Sequence, residues 1–189
     1  KVMYHLVIIE LEISTISIQS NIVKIHRHNH NYMKKENLHQ VLIKDCFLLE
    51  FYETKIESTF LTATDYSPEV KSEIQKHPRI FELRTYTTAE GRLDNLNARF
   101  RDHTCKLFEK HGMTNVGYWT PTDKNKGSAN TLIYIISHKS SEQAKKNWKG
   151  FISDNDWKKA RAKSVEDGKI LAIAPEKIFL DAVDYSLIK

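Results

Sequence analysis

The residues best suited to chemistry alternate along the stretch RIFELRTYTT, residues 79–88. Successive side chains of an extended strand point to opposite faces, so Glu82, Arg84 and Tyr86 share one face while Phe81 and Leu83 share the other. One arrangement is that Phe81 and Leu83 pack on the helices of the fold. The three polar side chains would then point away from the helices, into an interior cavity.

The predicted cavity suits a planar anionic or aromatic ligand, because arginine binds a carboxylate in a bidentate manner and aromatic rings stack. The alternative is that Glu82 pairs with Arg84 or across the sheet, in which case both residues are structural. No residue is assigned a catalytic role. The candidate ligand-binding residues are Glu82, Arg84, Tyr86, Trp119 and Tyr134.

Histidine and cysteine offer weaker candidates. His103 and His111 are eight residues apart on a predicted helix, which is too far for both to bind one metal ion. His111 suits the helix C-terminus, although a heme ligand or a general base remains an alternative. The segment HRHNH, residues 26–30, could bind a soft metal, but a polar turn is favoured. Cys46 and Cys105 are expected to be reduced, buried thiols, and we predict neither a metal site nor a cofactor.

Known motifs exclude several classes of enzyme. The chain has no Gly-rich phosphate loop, nucleophile elbow, Cys-x-x-Cys or His-Glu-x-x-His, so neither a hydrolase nor a nucleotide-binding enzyme is indicated. No apolar run reaches the roughly 18–20 residues that cross a bilayer. A soluble, cytoplasmic protein is therefore expected.

Positive charge is concentrated in the C-terminal part of the chain. Residues 1–70 hold 7 Lys and Arg against 9 Asp and Glu, which leaves 22 against 15 for residues 71–189. A solvated helix face explains the excess, and nucleic-acid binding is not favoured because no matching motif accompanies it. Much of the excess lies in seven residues: Lys145, Lys146, Lys149, Lys158, Lys159, Arg161 and Lys163.

Residues 79–189 predict the element order β-α-β-β-α-β. The strands are expected at residues 79–88, 115–121, 131–137 and 176–186, and the first helix at 89–112 with Gly112 as its C-cap. Ser140 and Gln143 form a capping box for the next helix, and Asp154 or Asn155 caps a shorter one. This order is typical of an antiparallel α+β sheet with helices on one face.

The first third of the chain differs in composition and ends in a repeat. All six glycines and all four prolines lie from Pro68 onward. A strand is expected at residues 5–13, an irregular extension at 13–31, a helix at 35–53 and an extended segment at 55–67. That segment ends in FLTATDYS, residues 60–67, which is nearly repeated as FLDAVDYS at 179–186.

The face of the sheet that the helices leave open also needs a cover. We assign Tyr134 and Ile136 to this face, and they are too apolar for a solvated surface. A second copy of the sheet is expected to cover it, either as another chain or as a tandem module.

Residues 79–186 resemble the NIPSNAP family. The resemblance rests on FELRTYT, FEKHGM, NVGYW, NTLIYI and the closing DYS, together with the spacing of Trp148, Phe151 and Trp157. It implies a ferredoxin-like unit that pairs into a dimeric α+β barrel, so that the cavity would be the barrel interior. Bacterial members of the family often carry two such modules in tandem.

The resemblance also sets the expected organisation and function. Residues 1–67 are expected to form an incomplete module with an irregular N-terminal extension, 68–78 a linker, and 79–189 an intact domain. The family has no settled reaction, so the expected function is self-association as a homodimer or higher oligomer, with a protein partner or small ligand. The alternative is a cofactor-free or heme-related monooxygenase acting on a small aromatic molecule.

Overall fold

The computed structural model of the chain describes residues 3–13, 20–27, 52–72, 77, 79–183, 186 and 188. The described strands are β1 Met3–Ile13, β2 Ser20–Arg27, β3 Tyr52–Ala63, β4 Ile80–Thr87, β5 Thr114–Pro121, β6 Thr131–His138 and β7 Glu176–Asp181. The described α-helices are α1 Leu93–Arg99, α2 Cys105–Lys110, α3 Ser141–Ser153 and α4 Asn155–Ser164. The chain therefore has the mixed α+β class that was predicted.

The described strands form one antiparallel sheet in the order β2-β1-β3-β5-β6-β4-β7. Within it, β5-β6-β4-β7 is the ferredoxin-like arrangement, since β6 lies between β4 and β5 and is antiparallel to both. The predicted β-α-β-β-α-β order is thus confirmed. The last strand ends at Asp181, five residues earlier than expected.

The first predicted helix contains a wide turn. Residues Phe100–Thr104 form a π-helical turn that joins α1 to α2 with helical backbone angles at both junctions. The side-chain Oγ1 of Thr104 donates a hydrogen bond to the carbonyl oxygen of Arg99 at 3.1 Å. A π turn leaves a carbonyl without its usual helical partner, and this hydroxyl supplies one. The turn directly follows Arg99.

Side-chain caps start the next two helices. The Oγ of Ser140 accepts a hydrogen bond from the backbone N–H of Gln143 at 3.1 Å, which confirms this half of the capping box. A carboxylate oxygen of Asp154 accepts from the N–H groups of Asp156 and Trp157, so Asp154 is the cap of α4. These caps fix where α3 and α4 lie against the sheet.

The core that lies between the sheet and the helices is rich in aromatic rings. Tyr118 and Tyr134 stack with ring centroids 5.4 Å apart, and Phe100 packs edge-on against Tyr118. We call this side of the sheet the helix face. Its fully buried side chains include Leu96, Phe100, Phe108, Met113, Tyr118, Leu132, Tyr134, Ile136 and Ile170.

The arrangement of β4 that would direct Glu82, Arg84 and Tyr86 away from the helices is not the one found. Glu82 and Arg84 lie on the helix face, where both contact Trp148 of α3, while Phe81 and Leu83 lie on the opposite face. Tyr134 and Ile136 also lie on the helix face rather than the open one. The period of two correctly grouped the residues into faces, but it carries no information on which face meets the helices.

The opposite side of the sheet, which we call the far face, is buried within the chain. Its cluster comprises Leu61, Phe81, Leu83, Trp119, Ile133 and Ile135, none more than 8% exposed. Leu61 belongs to β3, and Val70 and Ile188 pack against the same cluster. The sheet rolls until its edge strands β2 and β7 come within 8 Å between Cα atoms. One copy of the chain therefore buries this face.

The N-terminal segment is more regular than predicted. The expected strand at residues 5–13 and the extended segment at 55–67 match β1 and the greater part of β3. The segment expected to be irregular, residues 13–31, contains β2, which pairs with β1 from Leu11↔Ser20 to Tyr4↔Arg27. The predicted helix at residues 35–53 lies almost wholly outside the described residues.

Candidate functional site

A buried carboxylate lies at the centre of the polar groups on the helix face. Glu82 of β4 is 1% exposed, and its Oε2 accepts hydrogen bonds from Trp148 Nε1 at 2.7 Å and His138 Nε2 at 3.0 Å. Arg84 approaches its Oε1 at 3.5 Å. Burial acts to raise the pKa of Glu82, but these hydrogen bonds and the Arg84 charge outweigh it, so the pKa lies below its ordinary value. Glu82 is therefore an anion held by three donors.

The hydrogen bonds around His138 determine its tautomer. Gln143 Nε2 donates to Asn147 Oδ1 at 2.7 Å, which fixes the orientation of the Asn147 amide. The Asn147 Nδ2 group then donates to the Gly112 carbonyl oxygen at 2.9 Å and faces His138 Nδ1 at 3.3 Å. His138 Nδ1 is accordingly an acceptor, and the ring hydrogen lies on Nε2, where it is donated to Glu82. His138 is neutral in this arrangement.

Arg84 is held between the sheet and α3. Its guanidinium carbon lies 4.2 Å from the centroid of the Trp148 ring and 5.8 Å from that of Tyr86. A cation–π contact uses the face of the guanidinium group and leaves its N–H edge available for hydrogen bonds. The Nε of Arg84 is buried and makes no hydrogen bond within the described structure.

Two tyrosine hydroxyls lie beside Arg84. Tyr134 donates to the Tyr86 hydroxyl oxygen at 3.2 Å, and their ring centroids are 5.4 Å apart. Burial raises the pKa of Tyr134 well above its ordinary value, so its hydroxyl stays protonated. The Tyr86 ring centroid lies 5.8 Å from the Arg84 guanidinium carbon and also 5.8 Å from the ring centroid of Phe100, the residue that follows Arg99. The two tyrosines therefore connect Arg84 to the segment that carries Arg99.

Arg99 at the end of α1 is a second buried cation. It is 8% exposed, its NH1 donates to the Ser164 hydroxyl at 3.2 Å, and its guanidinium carbon lies 5.2 Å from the Trp157 ring centroid. Burial lowers the pKa of Arg99 below its ordinary value. Among the described residues no carboxylate forms an ion pair with Arg99, and its buried Nε makes no hydrogen bond there.

The neighbouring arginines behave differently. Arg92 binds both carboxylate oxygens of Asp167 at 2.6 Å, and Arg101 binds both oxygens of Asp65 at 2.8 Å. These two pairs bring distant parts of the chain together, as structural ion pairs do. Arg99, the most buried of the three, is the one that has no carboxylate partner in the part of the chain that the structure describes.

The structure brings together four of the five predicted ligand-binding residues. Glu82, Arg84, Tyr86 and Tyr134 lie on the helix face, between the sheet and the helices. Trp119 lies on the far face in the cluster with Leu61, fully buried, and the sheet separates it from the other four. The Trp119 ring lies over Gly117 of the same strand β5, where a Cβ atom on residue 117 would come within 2.3 Å of the ring.

Three contributors to the site were not predicted as such. Arg99 is three residues after Leu96, next to the apolar stripe of its helix, and an arginine there can equally extend into solvent. Trp148 and Trp157 were predicted as core aromatics, and they do pack on Phe151, with ring centroids 5.6 and 4.4 Å away. Their contacts with the two arginines depend on how the helices cross the sheet, which periodicity does not give.

The other sequence candidates have ordinary surroundings. His111 contacts the Asp154 carboxylate at 2.7 Å, and hydrogen bonds from Lys110 and His111 hold the pKa of Asp154 well below its ordinary value. His103 is exposed. Burial raises the pKa of the free Cys105 thiol to about 11. Cys46, and residues 28–30 of the histidine-rich segment, lie outside the described part of the chain.

The described residues contain neither a metal-binding cluster nor a membrane-spanning helix. No three or more His, Cys, Asp or Glu side chains in that part of the chain come together as a possible metal site. None of its helices is both long enough and apolar enough to cross a membrane.

The predicted basic face is solvent-exposed. All seven of its lysines and arginines, on α3 and α4, are exposed, and within the described ranges none of them forms an ion pair. This agrees with a solvated helix face. The carboxylates on the same two helices are Glu142, Asp154 and Asp156, and the last two pair with Lys110 of α2.

Solved structures give the comparison for the fold. A NIPSNAP family protein from Agrobacterium tumefaciens is 18% identical, with a TM-score of 0.51, and the match covers 63% of this chain and 98% of that one. A second, described as having unknown function, is 19% identical with a TM-score of 0.49, covering 59% and 95%. A NIPSNAP-like domain protein from Burkholderia xenovorans is 16% identical with a TM-score of 0.49, covering 58% and 90%. No curated protein matches this chain.

The family follows from the sequence match. The NIPSNAP model matches residues 81–186, which contain β4 except its first residue, β5 to β7, the four helices and every residue of the buried site. Since this match spans more than half of the sequence, the chain belongs to the NIPSNAP family.

Proposed function

We propose that this NIPSNAP-family chain binds a small organic anion between the sheet and the helices. Arg84 and Arg99 supply the positive charge, and the hydroxyls of Tyr86 and Tyr134 supply further hydrogen bonds. The observation that carries the proposal is Arg99, which is 8% exposed and has a serine hydroxyl as its hydrogen-bond partner.

The physical argument is the cost of burying a charge. A buried cation costs several kcal/mol unless a counter-charge and hydrogen bonds compensate it. Trp157 covers the guanidinium face of Arg99, but in-plane N–H groups remain for an oxyanion. Arg84 has the same arrangement on Trp148, with an unused Nε. A carboxylate beside Arg99 would supply the counter-charge that this residue lacks, whereas Arg84 already has Glu82 and would add only its unused Nε–H.

A thermal-shift panel of small carboxylates, phenols and neutral amides tests the proposal. We expect carboxylates to raise the melting temperature of the wild-type chain and to fail to do so in Arg99→Gln. The control is Arg101→Gln, which removes the same charge from an exposed position two residues away. Equal shifts in the two variants, or equal shifts from amides and carboxylates, would contradict anion binding at Arg99.

An oxygenase reaction in the same site is the second candidate. It is favoured by the aromatic surroundings, since Phe100, Phe108 and Tyr118 all pack within 6.0 Å of Tyr134 between ring centroids. Oxygen uptake in the presence of an aromatic carboxylate, or a Soret shift on adding hemin, would support it. Either signal should disappear in Arg84→Ala and Tyr86→Phe. Anion binding without either signal would contradict the oxygenase reaction and support binding as the only function of the site.

We propose that residues 1–67 are a module that lacks one helix and one strand. The order β2-β1-β3 repeats β6-β4-β7, and the two repeats of Phe-Leu lie at matching positions: Leu61 is opposite Tyr4, and Leu180 is opposite Phe81. Only residues 14–19 separate β1 from β2, which is too short for the helix and strand between β4 and β6. Residues 68–78 then link this unit to the intact domain at 79–189.

The predicted homodimer and protein partner also remain proposals. A dimer formed through the far face is not supported by this packing, because Leu61, Val70 and Ile188 of the same chain already lie there. Self-association would use another surface. Light scattering of the purified chain distinguishes a monomer from a dimer.

A further inference from the structure

The charges buried around the site do not sum to zero. Arg84 and Arg99 each carry a positive charge, and Glu82 carries a negative one. His138 is neutral because its Nδ1 faces the Asn147 amide donor and its Nε2 donates to Glu82. Tyr134 is a neutral phenol. These buried groups together carry one uncompensated positive charge, and the exposed Arg161 acts on Arg99 with the same sign.

We infer that the ligand of this site carries one negative charge rather than two. A single carboxylate would bring the buried sum to zero, whereas a dianion would leave one unpaired negative charge in the same region. Either residual charge is penalised by desolvation. This inference rests on the proposed function, and it narrows the ligand class to monoanionic oxyacids.

Glu82 is the residue that sets this selectivity. Glu82 balances the charge of Arg84, and its own position is fixed by the hydrogen bonds from Trp148 and His138. Among the described residues Glu82 forms no ion pair with Arg99, so the second guanidinium is left for the ligand. Removing the Glu82 charge should therefore allow the site to bind a ligand with two negative charges.

One consequence can be tested without a ligand. If Arg99 is an uncompensated cation, Arg99→Met, which keeps the length and the contact with Trp157, should raise the melting temperature of the empty protein by about 2–4 °C. Residues kept for function at the expense of stability behave in this way. A lower melting temperature in Arg99→Met would mean that Arg99 is structural, and it would overturn the inference.

The second test uses three probes with one skeleton: benzamide, benzoate and terephthalate, measured by titration calorimetry. In the wild-type chain we expect benzoate to bind about tenfold more tightly than either of the others, since a charge-assisted pair is gained and no charge is left over. In Glu82→Gln, the affinity for terephthalate should rise at least fivefold relative to the affinity for benzoate. The exposed Glu90→Gln should leave the wild-type order unchanged.

The outcomes separate the two proposals. Tighter binding of terephthalate than benzoate in the wild-type chain overturns the single-charge inference and leaves anion binding intact. Benzamide binding as tightly as benzoate, or no binding of any probe together with a destabilised Arg99→Met, contradicts anion binding itself. Benzoate selectivity that survives Glu82→Gln unchanged would show that Glu82 does not set the accepted charge.

Discussion

At the scale of single residues, the helix face contains an anion that is fully supplied with donors and a cation that is not. Glu82 receives hydrogen bonds from Trp148 and His138 and lies beside Arg84. Arg99, in the same layer, has one hydroxyl partner. Buried polar groups that are fully paired define structure, and those that are under-paired point to function. The two residues therefore have different expected consequences on substitution.

Glu82 makes the chain sensitive to acid. Its pKa is lowered in the folded state, so its contribution is complete above its unfolded pKa of about 4.3 and is lost as the pH falls through the folded value. We expect Glu82→Gln to reduce the free energy of unfolding by about 2–3 kcal/mol at pH 7. The variant should also lose less stability than the wild-type chain when the pH falls below ~4. Denaturant titrations from pH 3 to 7 measure both effects. The exposed Glu90→Gln should keep the wild-type profile, and an unchanged profile in Glu82→Gln would contradict the role of the carboxylate.

At the scale of elements, two capped helices carry the tryptophans that hold the arginines. Trp148 lies in α3 and Trp157 in α4, and Phe151 packs between them. The π turn after Arg99 is in the helix that faces them, with Thr104 bonded to the Arg99 carbonyl. A small change in where these helices start should shift the tryptophan rings that contact the arginines, because the tryptophan positions depend on helix placement.

The cap of α3 can be tested with two adjacent serines. Ser140→Ala removes the hydroxyl that accepts from the Gln143 N–H, and we expect a loss of about 1 kcal/mol in the free energy of unfolding. Ser141→Ala, at the exposed first residue of the helix, should change it by less than about 0.5 kcal/mol. Chemical denaturation of both variants provides the comparison. Equal effects would mean that the cap does not stabilise α3.

At the scale of the whole molecule, strand β3 from the N-terminal segment helps to cover the far face. The Leu61 side chain from β3 is fully buried with Leu83, Trp119 and Ile133, while its neighbour Phe60 is 44% exposed. Leu61 lies in the first of the two near-repeats, and the same alternation is found in the second, where Leu180 packs on this cluster and Phe179 is 50% exposed. The repeat therefore preserves a packing position.

Adjacent substitutions in the first repeat test this cover. Leu61→Ala should reduce the free energy of unfolding by about 2–5 kcal/mol, because it removes a buried side chain and leaves a cavity in the far-face cluster. Phe60→Ala, one residue away and on the other face, should cost clearly less because half of its ring area is already in water. Denaturant unfolding followed by tryptophan fluorescence measures both. A larger cost for Phe60→Ala would contradict the assignment of the two faces.

The sequence by itself determined the order of the elements in residues 79–189, the caps at Gly112 and Ser140, and the family. These depend on local periodicity and on residue types at short spacing, which a chain expresses before it folds. It also grouped Glu82, Arg84 and Tyr86 correctly on one side of a strand. Four of the five candidate ligand-binding residues consequently lie together.

The tertiary structure decided which side of β4 meets the helices, and with it the location of the candidate site. A strand whose two faces are both buried offers no polarity difference to orient it, because Phe81 and Leu83 pack with Leu61 of β3 and Glu82 is covered by α3. The burial of Arg99 and the separation of Trp119 from the site follow in the same way from contacts between distant segments. Such contacts have no local signature in the sequence, since they arise only when helices and strands pack.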